Sequence, residues 1–163
     1  MRRIALGLLA GSLIMGLIAA PVSARSGPTI VETAIAVNAD SGEFSTLIAA
    51  VVAADLVDAL NGKRQFTVFA PTDAAFAKLG LNAGNVGSLP KATLQNILKY
   101  HVTPGSRDSS SVVGSDRIRM LNGGFIKPSV TASGAFVNDS KIIAVDISTS
   151  NGIIHVIDTV LLP

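Results

Sequence analysis

Apolar residues in the first half of the chain recur at helical spacing and predict a series of helices. The segment from Thr29 to Glu32 (TIVE) has the pattern of a capping box, so a helix is predicted to begin there. After a turn at residues 40–42 (DSG), a second apolar stripe predicts a core-facing helix. A short helix then runs on to Leu60 and ends at residues 61–62 (NG). The second stripe comprises Phe44, Leu47, Ile48, Val51 and Val52.

A short β-type run interrupts these helices. Phe66–Phe69 (FTVF) predicts a strand that stops at Pro71. Thr72 or Asp73 can then accept a backbone hydrogen bond and cap a helix, which is predicted to carry Phe76 and Leu79. One more helix is predicted after Pro90 from a stripe that comprises Leu94, Ile97 and Leu98, and His101 extends this stripe if the helix continues that far.

The second half of the chain has the pattern of short strands joined by tight turns. Pairs of turn-forming residues separate the β-prone runs, and these pairs begin at Asn122, Ser133, Asn138 and Asn151. Pro128 predicts an edge strand or a bulge, because proline cannot donate a ladder hydrogen bond. Ser109-Ser110-Ser111 predicts a loop. Helices first and antiparallel strands afterwards indicate an α+β domain.

The beginning of the chain has the composition of a secretory signal peptide. Arg2 and Arg3 precede an apolar stretch that reaches Ala20, and Val22-Ser23-Ala24 fits the small-residue cleavage rule. The alternative is an uncleaved membrane anchor, because the apolar stretch slightly exceeds the usual length of about 7–15 residues. We therefore expect export to the periplasm or beyond the cell. The predicted organisation is a signal peptide over 1–24, a tether over 25–28 and a single domain over 29–163.

Charge and cysteine content exclude some classes of protein. Without Arg2 and Arg3 the 13 basic residues fall to 11, which equals the 11 acidic residues. No basic block remains, so nucleic acid is not an expected partner. The chain has no cysteine, so an exported domain of this size must rely on its hydrophobic core for stability.

His155 is the residue that decides between an enzyme and a scaffold. Strand side chains alternate between two faces, and both faces of the run from Ile153 to Val160 are apolar. His155 and Asp158 would lie on opposite faces and could not easily form a catalytic dyad. A neutral, hydrogen-bonded structural histidine is the favoured interpretation, because an unsatisfied buried polar group costs about 1–3 kcal/mol. The sequence has no GxSxG or HExxH motif, so no catalytic or metal-binding residue is predicted.

Three segments of the chain resemble the motifs of a known family. FTVFAPTDAAF (66–76), LKYHVTPG with its Tyr100-His101 pair, and NGIIHVIDTVLLP (151–163) look like the first motif, the tyrosine–histidine motif and the second motif of the fasciclin (FAS1) domain. The resemblance implies an α+β wedge of antiparallel, sandwich-like β-sheets with several packed helices. It also implies structural roles for the motif residues, which are Thr67, Thr72, Asp73, Tyr100, His101, Asn151, Gly152, His155 and Asp158.

The same resemblance implies a function without catalysis or a cofactor. Fasciclin domains are usually adhesion or matrix-association modules, so the expected partner is a cell-surface or extracellular protein or polysaccharide. The alternative is a carrier of an apolar small molecule, a pigment or a lipid, bound in a cleft of the same aliphatic-rich fold. An unrecognised hydrolase is a third hypothesis, and the missing nucleophile motif argues against it.

Asp146 and Ile147 are the candidate binding residues. Adhesive animal members of the family carry an Asp-Ile pair at this place, associated with receptor binding, although the residues flanking the pair differ here. An exposed carboxylate beside an apolar side chain can supply both orientation and contact area. The competing interpretation is that Ile147 belongs to the core and Asp146 is merely solvated.

Overall fold

A computed structural model describes residues 27–163, so the predicted signal peptide and the start of the tether lie outside the described residues. Six α-helices occur in this part of the chain, together with a 3-10 turn at Val86–Ser88. The helices are α1 (Ile30–Ser41), α2 (Ser45–Ala53), α3 (Val57–Leu60), α4 (Asp73–Ala77), α5 (Lys91–Tyr100) and α6 (Ser109–Val113). Within residues 27–163, no helix is both long and apolar enough to span a membrane.

In residues 27–163, eight strands form one large sheet and one small ribbon. They are β1 (Phe66–Pro71), β2 (Val102–Pro104), β3 (Ile118–Arg119), β4 (Phe125–Ile126), β5 (Pro128–Thr131), β6 (Gly134–Val137), β7 (Ser140–Thr149) and β8 (Gly152–Ile157). The large sheet has the order β2-β1-β8-β7-β6-β5, and β3 pairs with β4. The α+β class is confirmed. Pro128 opens β5 at one edge of the sheet, as predicted.

The sheet is mixed, whereas the resemblance implied antiparallel sheets. Strand β8 pairs in parallel with β1, from Phe66 opposite Gly152 to Pro71 opposite Ile157, and pairs antiparallel with β7. A parallel pair needs a long connection, and the chain between β1 and β8 supplies one. The last strand of the domain therefore lies between β1 and β7, at the centre of the sheet.

Two hydrophobic cores lie on the two faces of β8. Ile154 and Val156 belong to the first core, with α1, α2, α3 and α5. Ile157 belongs to the second core, which includes Phe69 and residues of the β3–β4 ribbon. The prediction that both faces of this strand are buried is confirmed, and the ring of His155 is completely buried against Phe69.

Helix caps account for the places where several helices begin. The capping box of Thr29 and Glu32 is present at α1, and Gly42 ends that helix in the left-handed conformation. Thr72 caps α4 by accepting a hydrogen bond from the N–H of Ala75. These helix starts were predicted correctly because cap chemistry is local in sequence.

Three local predictions were wrong. Residues 109–111 begin α6 instead of forming a loop, because the Asp108 carboxylate caps that helix at the N–H of Ser111, and Val112 is buried beneath it. Val52 was assigned to the core-facing stripe but is 61 % exposed. Leu79 lies beyond the end of α4 and is 42 % exposed, because that helix stops after a little more than one turn.

Candidate functional site

Strand β7 carries a bulge at the candidate binding residues. Ala144 pairs with Val156 and Ile147 pairs with Ile154, so two residues of β7 stand opposite His155 alone. Asp146 is one of the two, and its φ of 57° places it in the left-handed region. Its backbone N–H, displaced from the regular ladder, donates to Nδ1 of His155 at 3.3 Å.

His155 bridges this bulge to the loop that precedes α6. Because its Nδ1 accepts from Asp146, the ring proton is on Nε2, which donates to the carbonyl of Arg107 at 2.9 Å. Burial lowers the pKa of His155, and this effect outweighs the opposing influence of the Arg107 carbonyl and the carboxylates of Asp146 and Asp108. The ring is therefore neutral at pH 7 and serves as one donor and one acceptor.

Ser109 closes a ring of contacts around the bulge. Its backbone N–H donates to Oδ1 of Asp146 at 2.7 Å, and its hydroxyl donates to Oδ2 at 2.7 Å. Ser109 follows Arg107 by two residues, so His155 and Ser109 hold the same loop against the same bulge. The sequence analysis missed Ser109, although the cap pattern from Asp108 to Ser111 could have revealed the helix that positions it.

Thr67 fixes the other side of that loop. Its buried hydroxyl donates to the carbonyl of Gly105 at 2.7 Å and accepts from the N–H of Arg107 at 2.8 Å. Both hydrogen-bonding capacities of the hydroxyl are thus used on the 105–107 segment. Strand β1 and strand β8 each supply one buried polar side chain to hold the loop that supports Asp146.

His101 is also fully engaged in backbone hydrogen bonds. Its Nε2 accepts from the N–H of Leu161 at 2.9 Å, so Nδ1 carries the proton and donates to the carbonyl of Ile97 at 2.8 Å. Burial lowers the pKa of His101 from 6.5 to about 4, against the opposing effect of the Ile97 carbonyl. Neither histidine has a ring nitrogen left for proton transfer or metal binding.

Asn151 and Gly152 join the end of the chain to its beginning. The side-chain oxygen of Asn151 accepts from the first N–H of α1, at Ile30, and its amide group donates to the carbonyl of Leu60. A Cβ added at Gly152 would lie 1.8 Å from the carbonyl oxygen of Phe66. Only glycine allows β1 and β8 to approach this closely.

The remaining motif residues each have an identified hydrogen-bond partner. Tyr100 donates its hydroxyl to the carbonyl of Phe125 at 2.8 Å, which ties α5 to the β3–β4 ribbon. The Asp73 carboxylate accepts from the N–H of Thr46 at 2.8 Å, so it caps α2 across space and not its own helix. The Asp158 carboxylate accepts from the N–H of Lys141 at 2.9 Å, and it makes no hydrogen bond to His155. In residues 27–163, no three histidine or acidic side chains converge as a metal site would require.

The candidate pair has a mixed environment. Asp146 is exposed although both of its carboxylate oxygens bond to Ser109, and Ile147 is half-buried against the first core. Ile143 and Val145 on the same strand are 51 % and 45 % exposed. The bulge therefore presents one carboxylate beside apolar side chains at the surface.

Comparison with known proteins identifies the family. Residues 42–163 match the Fasciclin domain. The chain belongs to the fasciclin family. Protein sll1483 of Synechocystis sp. is 46 % identical, over 85 % of this chain and 75 % of that protein. The transforming growth factor-beta-induced protein ig-h3 of Sus scrofa is 38 % identical over 74 % of this chain, which spans only 18 % of that protein.

A solved structure shows the same fold. It is the fasciclin domain pair from the insect cell adhesion molecule Fasciclin I, with a TM-score of 0.66 and 20 % sequence identity. The match covers 83 % of this chain and 51 % of that one. The α+β arrangement described above is therefore the fold of the fasciclin domain.

The fasciclin domain also contains an apolar cavity, whose described lining includes neither Asp146 nor His155. The cavity has a volume of about 190 Å³ and lies between helices α1, α2, α3 and α5 and the central strands. Its lining is almost entirely aliphatic and includes Ile30, Ile48, Val51, Leu56, Phe66 and Leu98.

Proposed function

We propose that this fasciclin domain is an exported, non-catalytic module that binds a cell-surface or extracellular protein or polysaccharide through the Asp146 bulge. The observation that carries the proposal is the left-handed conformation of Asp146. This residue is exposed, and yet three hydrogen bonds to Ser109 and His155 fix its position. Most non-glycine residues pay about 1–2 kcal/mol in this region, whereas aspartate and asparagine adopt it more readily, as Asp55 and Asn138 also do here. What distinguishes Asp146 is that it combines this conformation with a β-bulge, and bulges are over-represented next to functional sites.

The surroundings of the bulge suit a contact surface. The Asp146 carboxylate offers a fixed charge, which favours orientation and selectivity over raw affinity. Ile143 and Val145 add exposed apolar area on the same strand. Buried apolar contact supplies most of the binding energy at such surfaces.

The proposal excludes catalysis by the histidines because their ring nitrogens are already used in hydrogen bonds. A general base needs a nitrogen or oxygen able to take a proton from a substrate. Both nitrogens of His101 and both of His155 are committed to backbone groups, and these are the two histidines of the chain. The structurally similar insect protein is named a cell adhesion molecule, and that name agrees with the proposed class of function.

A conservative substitution tests the bulge with little disturbance of the fold. Asp146→Asn removes the charge but keeps an oxygen for the Ser109 N–H, and asparagine tolerates the left-handed region well. Adhesion to envelope and extracellular material of the native source should weaken on the order of tenfold. Asp139→Asn, in the turn between β6 and β7, is the matched control and should leave adhesion unchanged. Equal adhesion of the parent and Asp146→Asn would exclude a role for the Asp146 carboxylate in binding.

A double substitution tests the whole contact pair. Asp146→Ala combined with Ile147→Ala removes both the charge and the apolar side chain of the pair. Its melting curve is recorded first, because Ile147 packs against the first core. A folded double variant that adheres as strongly as the parent would place the binding surface elsewhere on the domain.

The cavity supports a second candidate function, the carriage of an apolar small molecule such as a pigment or a lipid. Its volume of about 190 Å³ exceeds that of an engineered cavity of about 150 Å³ that binds benzene. Protein purified from its native source should carry an extractable apolar compound, detected by absorption spectroscopy and by mass spectrometry of an organic extract. A native preparation with no such compound would argue against this function.

A further inference from the structure

The mouth of the apolar cavity is itself apolar. Ile35 on α1, Val52 on α2 and Leu121 after β3 all line the cavity, and all three side chains are exposed. An open cavity with an apolar rim suits a ligand whose chain extends from the interior across the surface. A ligand that the protein enclosed completely would need no such rim.

Only two of the cavity-lining residues in the described part of the chain have polar side chains, Lys99 and His101. Both ring nitrogens of His101 bond to backbone groups, so its ring offers the cavity only carbon atoms. The surface of the cavity is almost entirely apolar, so Lys99 lines it with its aliphatic stem and its ammonium group lies outside. Among the lining residues, that ammonium group is the one that can recognise a polar part of a ligand at the mouth.

Lys99 is a half-buried cation without a carboxylate partner. In residues 27–163 the one ion pair joins Lys91 to Asp55, and Lys99 makes no hydrogen bond among the described contacts. Its place in the last turn of α5 is favourable for a positive charge, because the carboxyl end of a helix is negative. That position leaves the three donors of the ammonium group free.

We propose that the cavity binds an unbranched acyl chain whose terminal carboxylate pairs with Lys99. This inference rests on the second candidate function and adds the class of ligand to it. A water-sized group occupies about 30 Å³, so the cavity holds about six methylene groups of the chain. The rest of the chain would lie along the apolar rim. A charge-assisted contact at Lys99 would fix the direction in which the chain enters.

The test compares carboxylates with neutral ligands of equal chain length. Straight-chain carboxylates and primary alcohols of three to twelve carbons, below their micelle concentrations, are titrated calorimetrically into the domain. Each added methylene should tighten binding about fourfold until about six are buried, and less thereafter. Lys99→Met should weaken the carboxylates about tenfold and leave the alcohols unchanged. Lys91→Met, in the first turn of the same helix, is the matched control and should change neither series.

Two variants that fill the cavity locate the binding site. Ala34→Leu and Ala59→Leu add volume at lining positions, and Ala59 is exposed, so the second change should be tolerated by the fold. Both should abolish binding of both ligand series. If the folded Ala34→Leu and Ala59→Leu variants bind the ligands with parental affinity, the claim that the cavity is the binding site is wrong.

The outcomes separate the ligand class from the carrier function. One outcome is that the alcohols and the carboxylates both bind while Lys99→Met weakens the two series equally or not at all. In that case the inference that the ligand is a carboxylate paired with Lys99 is wrong, and the carrier function stands. If the parent binds neither series, both the carrier function and this inference are overturned. The proposed adhesion through Asp146 is unaffected by either result.

Discussion

Acid should destabilise the domain through His101 in a pH range set by its pKa. Burial lowers the pKa of this residue from 6.5 to about 4 in the folded protein, and unfolding restores the ordinary value of about 6.5. Between these values the unfolded chain binds a proton that the folded chain does not, so the free energy of unfolding rises with pH. The contribution of His101 is complete above pH 6.5, is lost as the pH falls to about 4, and changes no further below that.

The size of this effect follows from the shift. One pKa unit corresponds to about 1.4 kcal/mol, so complete acidification costs about 3 kcal/mol at His101. That is a large part of a typical free energy of unfolding of about 5–15 kcal/mol. The lowered pKa of His155 has the same sign, so its contribution is also lost as the pH falls below about 6.5. Hydrogen bonds from Ser111 lower the pKa of the Asp108 carboxyl, so its contribution is lost only below about pH 4.

Urea unfolding at a series of pH values from 7 to 4 measures the effect. His101→Gln cannot titrate in this range, so its curve of stability against pH should be flatter by up to about 1.4 kcal/mol per pH unit. His155→Gln should flatten the curve separately and in the same direction. The comparison uses the slope, which is independent of the stability that either variant loses at pH 7. Parallel curves for the parent and His101→Gln would refute the assignment of a buried, neutral His101.

Three further predictions concern the fold and its processing. His155→Ala should lower the free energy of unfolding by about 3 kcal/mol, because it leaves a cavity against Phe69 and removes a partner from the amide of Asp146; an unchanged melting temperature would contradict the structural role. Gly152→Ala should prevent folding or cost more than about 3 kcal/mol in urea unfolding, since the new Cβ would overlap a backbone oxygen of β1, and a stable variant would mean that the two strands are farther apart. Amino-terminal sequencing of the exported protein should begin directly after Ala24, whereas a chain that starts near Met1 in the membrane fraction would indicate an anchor.

Features with a local cause could be predicted from the sequence. Helix caps and turns depend on residues within a few positions of one another, so the caps at Thr29 and Thr72 and the turn at Asn151 could be predicted directly. The burial of both faces of β8 was also predictable, because the apolar residues on its two faces are adjacent in the sequence.

Features that depend on contacts between distant segments could not be predicted. The parallel pairing of β1 with β8 joins residues more than 80 positions apart, and no local pattern specifies it. The left-handed Asp146 is held by His155 and Ser109 together, and neither the His155 segment nor the Ser109 segment indicates by itself that the two meet at Asp146. Asp73 could be recognised as a cap, but which helix it caps depends on tertiary packing. The cavity likewise emerges only when four helices meet the sheet.

The central proposal is that the domain binds a surface through the Asp146 bulge. Hydroxyl-radical footprinting of the bound domain tests it most directly. Side-chain oxidation is measured by mass spectrometry for the free domain and for the domain bound to native envelope and extracellular material. Ile143 and Val145 are exposed in the free domain and should be protected on binding, while Val52 at the cavity mouth, which is somewhat more exposed, should oxidise as before. Protection of Val52 with unchanged oxidation of Ile143 and Val145 would place the contact on the helical side and contradict the account.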